Sequence, residues 1–280
     1  MSFQPVVPLP GIAGWRFLER TRAVQTAAFE RSPEIRRDTD HFVDNLGSVS
    51  SAADLVSDRR LLKVALGAFG LDDDLGKRAF VRKVLEEGTD DPKSFANRLV
   101  DARYRAFAAA FGFGNASWAG TDSPGFAAEM AARYRTRQFE TAIGASEPSM
   151  RLALGFSREI GEFAAAGDPD GAAWFQIMGT PPLRRVFEKA YNLPRDIGAL
   201  DIDRQRELFR QKTRELFGAS SLAVFGDSGK VDEFLRRFLA REQVDAGAGA
   251  LAPGAAALRL LRAGPALGPR GLGNLLLSAT

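Results

Sequence analysis

Apolar residues recur at helical spacing along most of the chain, and the clearest run is GTPPLRRVFEKAYNLP, residues 179–194. Leu183, Val186, Phe187, Ala190 and Tyr191 fall at i, i+3, i+4, i+7 and i+8, which puts them on one helix face. Pro181 and Pro182 suit a first helical turn, whose N–H groups have no intrahelical partner. Asn192 and Pro194 stop the run. The segment is clear as structure and silent as chemistry.

The same period predicts helices elsewhere. Residues 1–14 are Pro- and Gly-rich and read as irregular. Residues 15–31 read as a helix with Trp15, Leu18, Val24, Ala27 and Ala28 facing inward. Ser32 is a candidate cap for a helix carrying Ile35, Phe42, Val43 and Leu46 and ending at Gly47. A short helix over 52–56 precedes a strong one over 58–69, with Leu61, Val64, Ala65, Ala68 and Phe69 inward and Gly70 closing it. Asp72, Asp73 and Asp74 open a helix to Glu87. Asp91-Pro92 opens another with Phe95, Leu99, Ala102 and Ala106 on one face, ended by FGFGN at 111–115. GTDSPG at 120–125 reads as a linker.

Long helices follow over 126–143 and 148–166, then a loop GDPDG at 167–171 and a short apolar helix over 172–178. Residues 202–217 predict an amphipathic helix burying Leu208, Leu216 and Phe217. Asp227 or Ser228 caps a last one with Val231, Phe234, Leu235, Phe238 and Leu239 inward. From Asp245 the chain turns to Gly, Ala, Pro and Leu, a flexible tail with one short helix over 255–262. No period-2 alternation stands out. The class is all-α and multi-helical, with nine to eleven helices.

RRLLKVALGAFGL, residues 59–71, aligns with PPLRRVFEKAYNL, residues 181–193, at a constant offset of 122. Leu61 meets Leu183, Val64 meets Val186, Ala68 meets Ala190, Phe69 meets Tyr191 and Leu71 meets Leu193. The flanking elements follow in the same loose order. Two diverged copies of one helical unit are expected, at 15–120 and 121–244, between a flexible N-terminus (1–14) and the tail (245–280).

Composition then narrows the chemistry. At 280 residues, 45% hydrophobic and with 21 Phe, the chain can bury a substantial core. Lys and Arg number 38 against 35 acids, so a net charge of +3 is a weak pointer to nucleic acid. Cysteine is absent, which removes disulfides, thiolate nucleophiles and Cys-based metal sites. MSFQPVVPLPGIAGWRF has no basic region ahead of an unbroken apolar one, so no cleaved signal peptide is expected. No run approaches the roughly 20 apolar residues of a membrane span.

Each tempting motif has a structural reading. His41 is the only histidine and reads as a helix-face residue. GDSGK, 226–230, departs from a phosphate-binding loop, with Val224 and Val231 where Gly and Ser/Thr belong, and reads as a helix cap. Asp72 to Asp74, Asp201 with Asp203, and GDPDG lack cation-loop spacing. Arg184, Arg185, Arg204, Arg206, Arg210 and Arg214, with Arg236, Arg237 and Arg241, form a basic set. Glu188, Glu207 and Glu215 are interleaved with it, as on solvated faces bearing i,i+3 and i,i+4 pairs.

MGTPPLRRVFEKAYNLP, then GALDIDRQRELFRQK, then FLRRFLAREQ resemble domain-of-unknown-function family 1217, found mainly in alphaproteobacteria. SSAADLVSDRRLLKVALGAFGLDDDLGKRAFVRKVLE and ETAIGASEPSMRLALGFSREI share the resemblance, which spans roughly residues 10–244. Members are typically encoded among flagellar genes, so the resemblance implies a flagellum-associated role. It brings no catalytic residues.

The expectation is a non-enzymatic bacterial interaction protein, a structural, assembly or export-related component of the flagellum. No catalytic residue, cofactor or metal is expected, and the partners are proteins, flagellar components among them. Location is cytoplasmic, or the flagellum after export without a cleaved signal. Trp15, Phe17 and Leu275 to Leu277 are candidate partner contacts, with Trp15 packing on its own domain as the plain alternative. The competing reading is a cytoplasmic helical scaffold or regulator binding nucleic acid through its arginines, which steep salt dependence would reveal.

Overall fold

The computed structural model describes residues 3–116, 120–166 and 171–251. In these residues thirteen α-helices and five short 3-10 turns alternate, with no strand. The first seven helices are α1 (Gly11–Glu30), α2 (Pro33–Asn45), α3 (Ala52–Ser57), α4 (Arg59–Phe69), α5 (Arg78–Glu87), α6 (Phe95–Arg98) and α7 (Ala102–Phe111). The other six are α8 (Phe126–Ser146), α9 (Pro148–Ala166), α10 (Ala172–Met178), α11 (Pro181–Ala190), α12 (Ile202–Phe217) and α13 (Ser228–Leu251).

Short polar side chains set many of the starts by accepting from otherwise unpaired N–H groups. Asp58 accepts from Arg60 N at 2.7 Å and Leu61 N at 3.1 Å, Asp101 from Arg103 N at 3.0 Å, and Asp201 from Arg204 N at 2.9 Å. Asp227 accepts from Gly229 N at 2.8 Å, which is the capping role read for GDSGK. Ser32 is different. It sits at the start of α2, but its hydroxyl makes no capping bond and is buried without a partner.

One hydrophobic cluster runs from Trp15 to Leu239 and joins both halves of the chain. α8 is its spine, packed on α2, α4 and α9. Its Tyr134 is fully buried, with the hydroxyl 3.4 Å from Asp38. Beneath α11, the rings of Phe156, Phe187, Tyr191, Phe225 and Phe234 pack with centroids 5.0–5.8 Å apart, mostly edge-on or tilted. That geometry adds quadrupole attraction to area burial.

Several expectations need correction. α1 starts at Gly11, inside the segment read as irregular, and the side-chain amide of Gln25 pairs with both backbone groups of Val6 (2.8 and 3.1 Å). Its buried face is Trp15, Leu18, Gln25 and Phe29, so Val24 is 76% exposed and Ala27 is exposed too. Val43 is likewise exposed. Asp72 to Asp74 form a 3-10 turn, and α5 begins only at Arg78. The helix read from Asp91 is two, α6 and α7, broken before the Asp101 cap; α7 buries Phe107, Ala108 and Phe111, while Ala106 faces out. α12 buries Gln205, Phe209 and Thr213, leaving Leu208, Leu216 and Phe217 half-buried. α13 crosses the composition change at Asp245 and runs to Leu251. The short helix read over 255–262 lies outside the described residues.

At the offset of 122, α4 and α11 share their end geometry. Gly70 and Asn192 both take left-handed backbone, φ 70° and 53°, and Asn192 is the one non-glycine residue with positive φ among those described. Leu71 N donates to Leu66 O at 3.0 Å, and Leu193 N to Glu188 O at 2.9 Å. Gly70 N donates to Gly67 O at 3.1 Å, and Asn192 N to Lys189 O at 3.0 Å. These pairings satisfy the last carbonyls of each helix. Packing corresponds in part: α2, α3 and α7 contact α4, as α9, α10 and α13 contact α11, whereas α8, which also packs on α4, has no counterpart on α11.

Candidate functional site

Where α4 ends and α7 and α11 begin, against α8 and α9, the surface sinks into two adjoining depressions. The larger holds about 670 Å³ and the smaller about 310 Å³, and they share Arg103, Arg137, Arg158, Glu159 and Thr180. A short backbone link holds this junction: Ala102 N donates to Gly179 O at 2.7 Å, tying α7 to the α10–α11 turn.

The shared wall is a network of ion pairs from three helices. Arg158 donates to both oxygens of Glu140, at 2.9 and 3.0 Å, and to Glu159 at 2.9 Å. Arg137 donates to the same Glu159 oxygen at 2.6 Å. Arg103 pairs side-on with Asp101 at 2.7–3.1 Å and donates to the carbonyl of Gly70. Gly70 is glycine for two reasons. Its φ of 70° disfavours a side chain, and a Cβ would lie 3.0 Å from Arg137 Nη1.

The electrostatics of the three guanidiniums differ. Burial, then the like charge of Arg158, holds Arg137 below its ordinary pKa. Burial opposes the charge of Arg158 as well, but the hydrogen bond and attraction of Glu140 outweigh it and raise that pKa. Arg103 is raised in the same way, burial being outweighed by Asp101. All three stay cationic at neutral pH. The smaller depression is lined by five arginines, Arg103, Arg137, Arg151, Arg158 and Arg185, against two carboxylates, Glu140 and Glu159. The guanidiniums of this wall keep their protons and offer paired N–H donors, which suits recognition of oxyanions.

Of the chemical candidates singled out from sequence, Arg185 lines the smaller depression and the others lie elsewhere. His41 Nε2 is 2.8 Å from Asp58 Oδ2, so it supports the α4 cap from α2. Asp72 accepts from Gln138 at 2.5 Å, and Asp74 holds Lys77 at 2.7 Å and the Tyr104 hydroxyl. Arg184, Arg206, Arg210, Arg236 and Arg237 pair with acids three or four positions away, as the interleaving predicts. Trp15 is 5% exposed and packs in the core, so it is not a free partner contact; Phe17 is half-buried. Leu275 to Leu277 lie outside the described residues, as do 167–170 of GDPDG. Among the described residues no cluster of His, Cys, Asp and Glu is arranged to hold a metal, and no helix is long and apolar enough to cross a membrane.

Sequence reasoning missed Arg103, Arg137, Arg151 and Arg158. They share no motif, because α7, α8 and α9 each contribute one or two. One signal was available: Glu140 sits six positions after buried Tyr134 and three before buried Ile143, a carboxylate on a core face.

The fold and the cleft define an all-α, multi-helical protein with an arginine-walled recess at the junction of its halves. The chain belongs to the family described as protein of unknown function (DUF1217), whose pattern matches residues 68–231, more than half of it. The fold is similar to the crystal structure of protein AGR_C_984 from Agrobacterium tumefaciens. The two share 26% identity with a TM-score of 0.69, over 86% of this chain and 99% of that one. No curated protein matches the chain.

Proposed function

We propose that the protein is a non-enzymatic interaction protein of the bacterial flagellum, a structural, assembly or export-related factor built from two diverged copies of a helical unit. The observation that carries the binding role is the cleft, where the ionisable groups of the shared wall are arginines and carboxylates in mutual ion pairs. A guanidinium does not give up its proton near neutral pH, so the arginines of this wall bind charge rather than relay protons. The flagellar part rests on the family resemblance. The matched caps of α4 and α11, and the partial match of their neighbours, support the duplication.

The nucleic-acid alternative is weakened by the arginines that suggested it, since most of them pair along their own helices. The test is deletion of the gene in its own bacterium. Lost swimming, with the tagged protein in basal-body or medium fractions, is the expected result for an exported or structural part. Lost swimming with cytoplasmic protein identifies an assembly factor. Normal flagella and swimming overturn the proposal.

A further inference from the structure

We propose that the smaller depression is a binding site for a small oxyanion carrying two or more negative charges, a phosphoryl or polycarboxylate compound. The inference deepens the reading of the cleft as a binding surface. Five guanidiniums face about 310 Å³; Glu140 and Glu159 lie among them, and Asp101 and Glu242 pair with Arg103 and Arg185 from the edge, so one positive charge is left over, with Arg151 at the exposed rim. The fold uses three of the five: Arg103, Arg137 and Arg158 hold Asp101, Glu159 and Glu140. Arg151 and Arg185 reach the same space from the exposed rim, and Arg185 is only loosely placed, at 3.6 Å from Glu242. Two of the buried guanidiniums, Arg137 and Arg158, share one oxygen of Glu159 and repel each other. An anion between them and the rim relieves that repulsion.

Gly155 lies at the base of the recess: a Cβ there would make ordinary contact with Arg158 Nη2 at 3.7 Å and Glu140 Oε2 at 3.8 Å, so a longer side chain at this position projects into the space. The size is at the lower end of small-molecule pockets and far below a duplex. Guanidinium forks match the oxygen spacing of carboxylate and phosphate.

The test is calorimetric titration of the full chain with pyrophosphate and with citrate at low ionic strength. At least one binds, and its presence raises the melting temperature with concentration. The double variant Arg151→Gln/Arg185→Gln binds about tenfold or more weakly. Gly155→Leu, which projects a branched side chain into the recess and leaves the charges in place, loses affinity too and decides the matter where the double variant loses its helical signal. Arg236→Gln/Arg237→Gln, on an outer face, binds as the unaltered chain does. Tighter pyrophosphate names a phosphoryl ligand and tighter citrate a polycarboxylate. No binding of either below about 10 mM, or equal loss in the outer-face control, overturns the proposal. Either failure is separate from the swimming assay, which reads the flagellar role alone.

Discussion

Glu140 shows what a single buried charge does in this protein. It accepts two hydrogen bonds from Arg158, from Nε and Nη2, and its side chain is almost wholly buried. Removing its charge leaves Arg158 with Glu159 alone, itself shared with Arg137. Breaking a buried pair from one side costs about 3–5 kcal/mol, so Glu140→Gln is expected near the lower end, read from urea unfolding. Gly70→Ala acts through backbone and space together. The left-handed φ costs roughly 1–2 kcal/mol, and the new methyl must displace Arg137, so loss of stability comes with altered anion affinity. Asp74 sets an acid response. Burial opposes its charge, but the Lys77 pair and the Tyr104 hydroxyl hold its pKa below the usual 3.8. A depressed folded pKa contributes stability that is present above 3.8 and lost as pH falls through the folded value. Asp74→Asn is therefore expected to cost about 1–3 kcal/mol at pH 7, and its gap to the unaltered chain closes below about pH 4 in denaturant titrations.

Among the elements, the helices with strong one-sided patterns were legible and those with weak patterns were not. α11 was read residue by residue because its five apolar positions all face one packed surface. α1 was misread because its inward face includes a polar residue, Gln25, which earns burial by hydrogen-bonding Val6; an apolar count therefore chose Val24. The α6–α7 break escaped notice because Asp101, a cap and an ion-pair partner at once, looks in sequence like one more surface acid. The cleft was illegible for a similar reason: its arginines acquire meaning only when three helices meet. Cap geometry also carries a prediction. Asn192 holds the left-handed position that Gly70 holds at the other junction. Asn192→Gly is expected to be neutral or to stabilise by up to about 1 kcal/mol, while Asn192→Val destabilises by roughly 1–2 kcal/mol; thermal unfolding distinguishes them. Phe187, fully buried among six aromatic rings, is expected to cost about 3–5 kcal/mol as Phe187→Ala.

For the whole molecule, one hydrophobic cluster spans both halves, and α8 of the second half packs on α2 and α4 of the first. The halves thus form their junction by interlocking, and the junction is where the recess lies. A site there depends on the packing of both halves. Whether this cleft serves the flagellum, as proposed, is read by the swimming radius of a deletion strain complemented with the unaltered gene or with Arg151→Gln/Arg185→Gln, each shown to be produced and helical. Deletion is expected to abolish swimming, the unaltered gene to restore it and the double variant not to. Full swimming by the deletion strain, or full rescue by the double variant, contradicts the proposal.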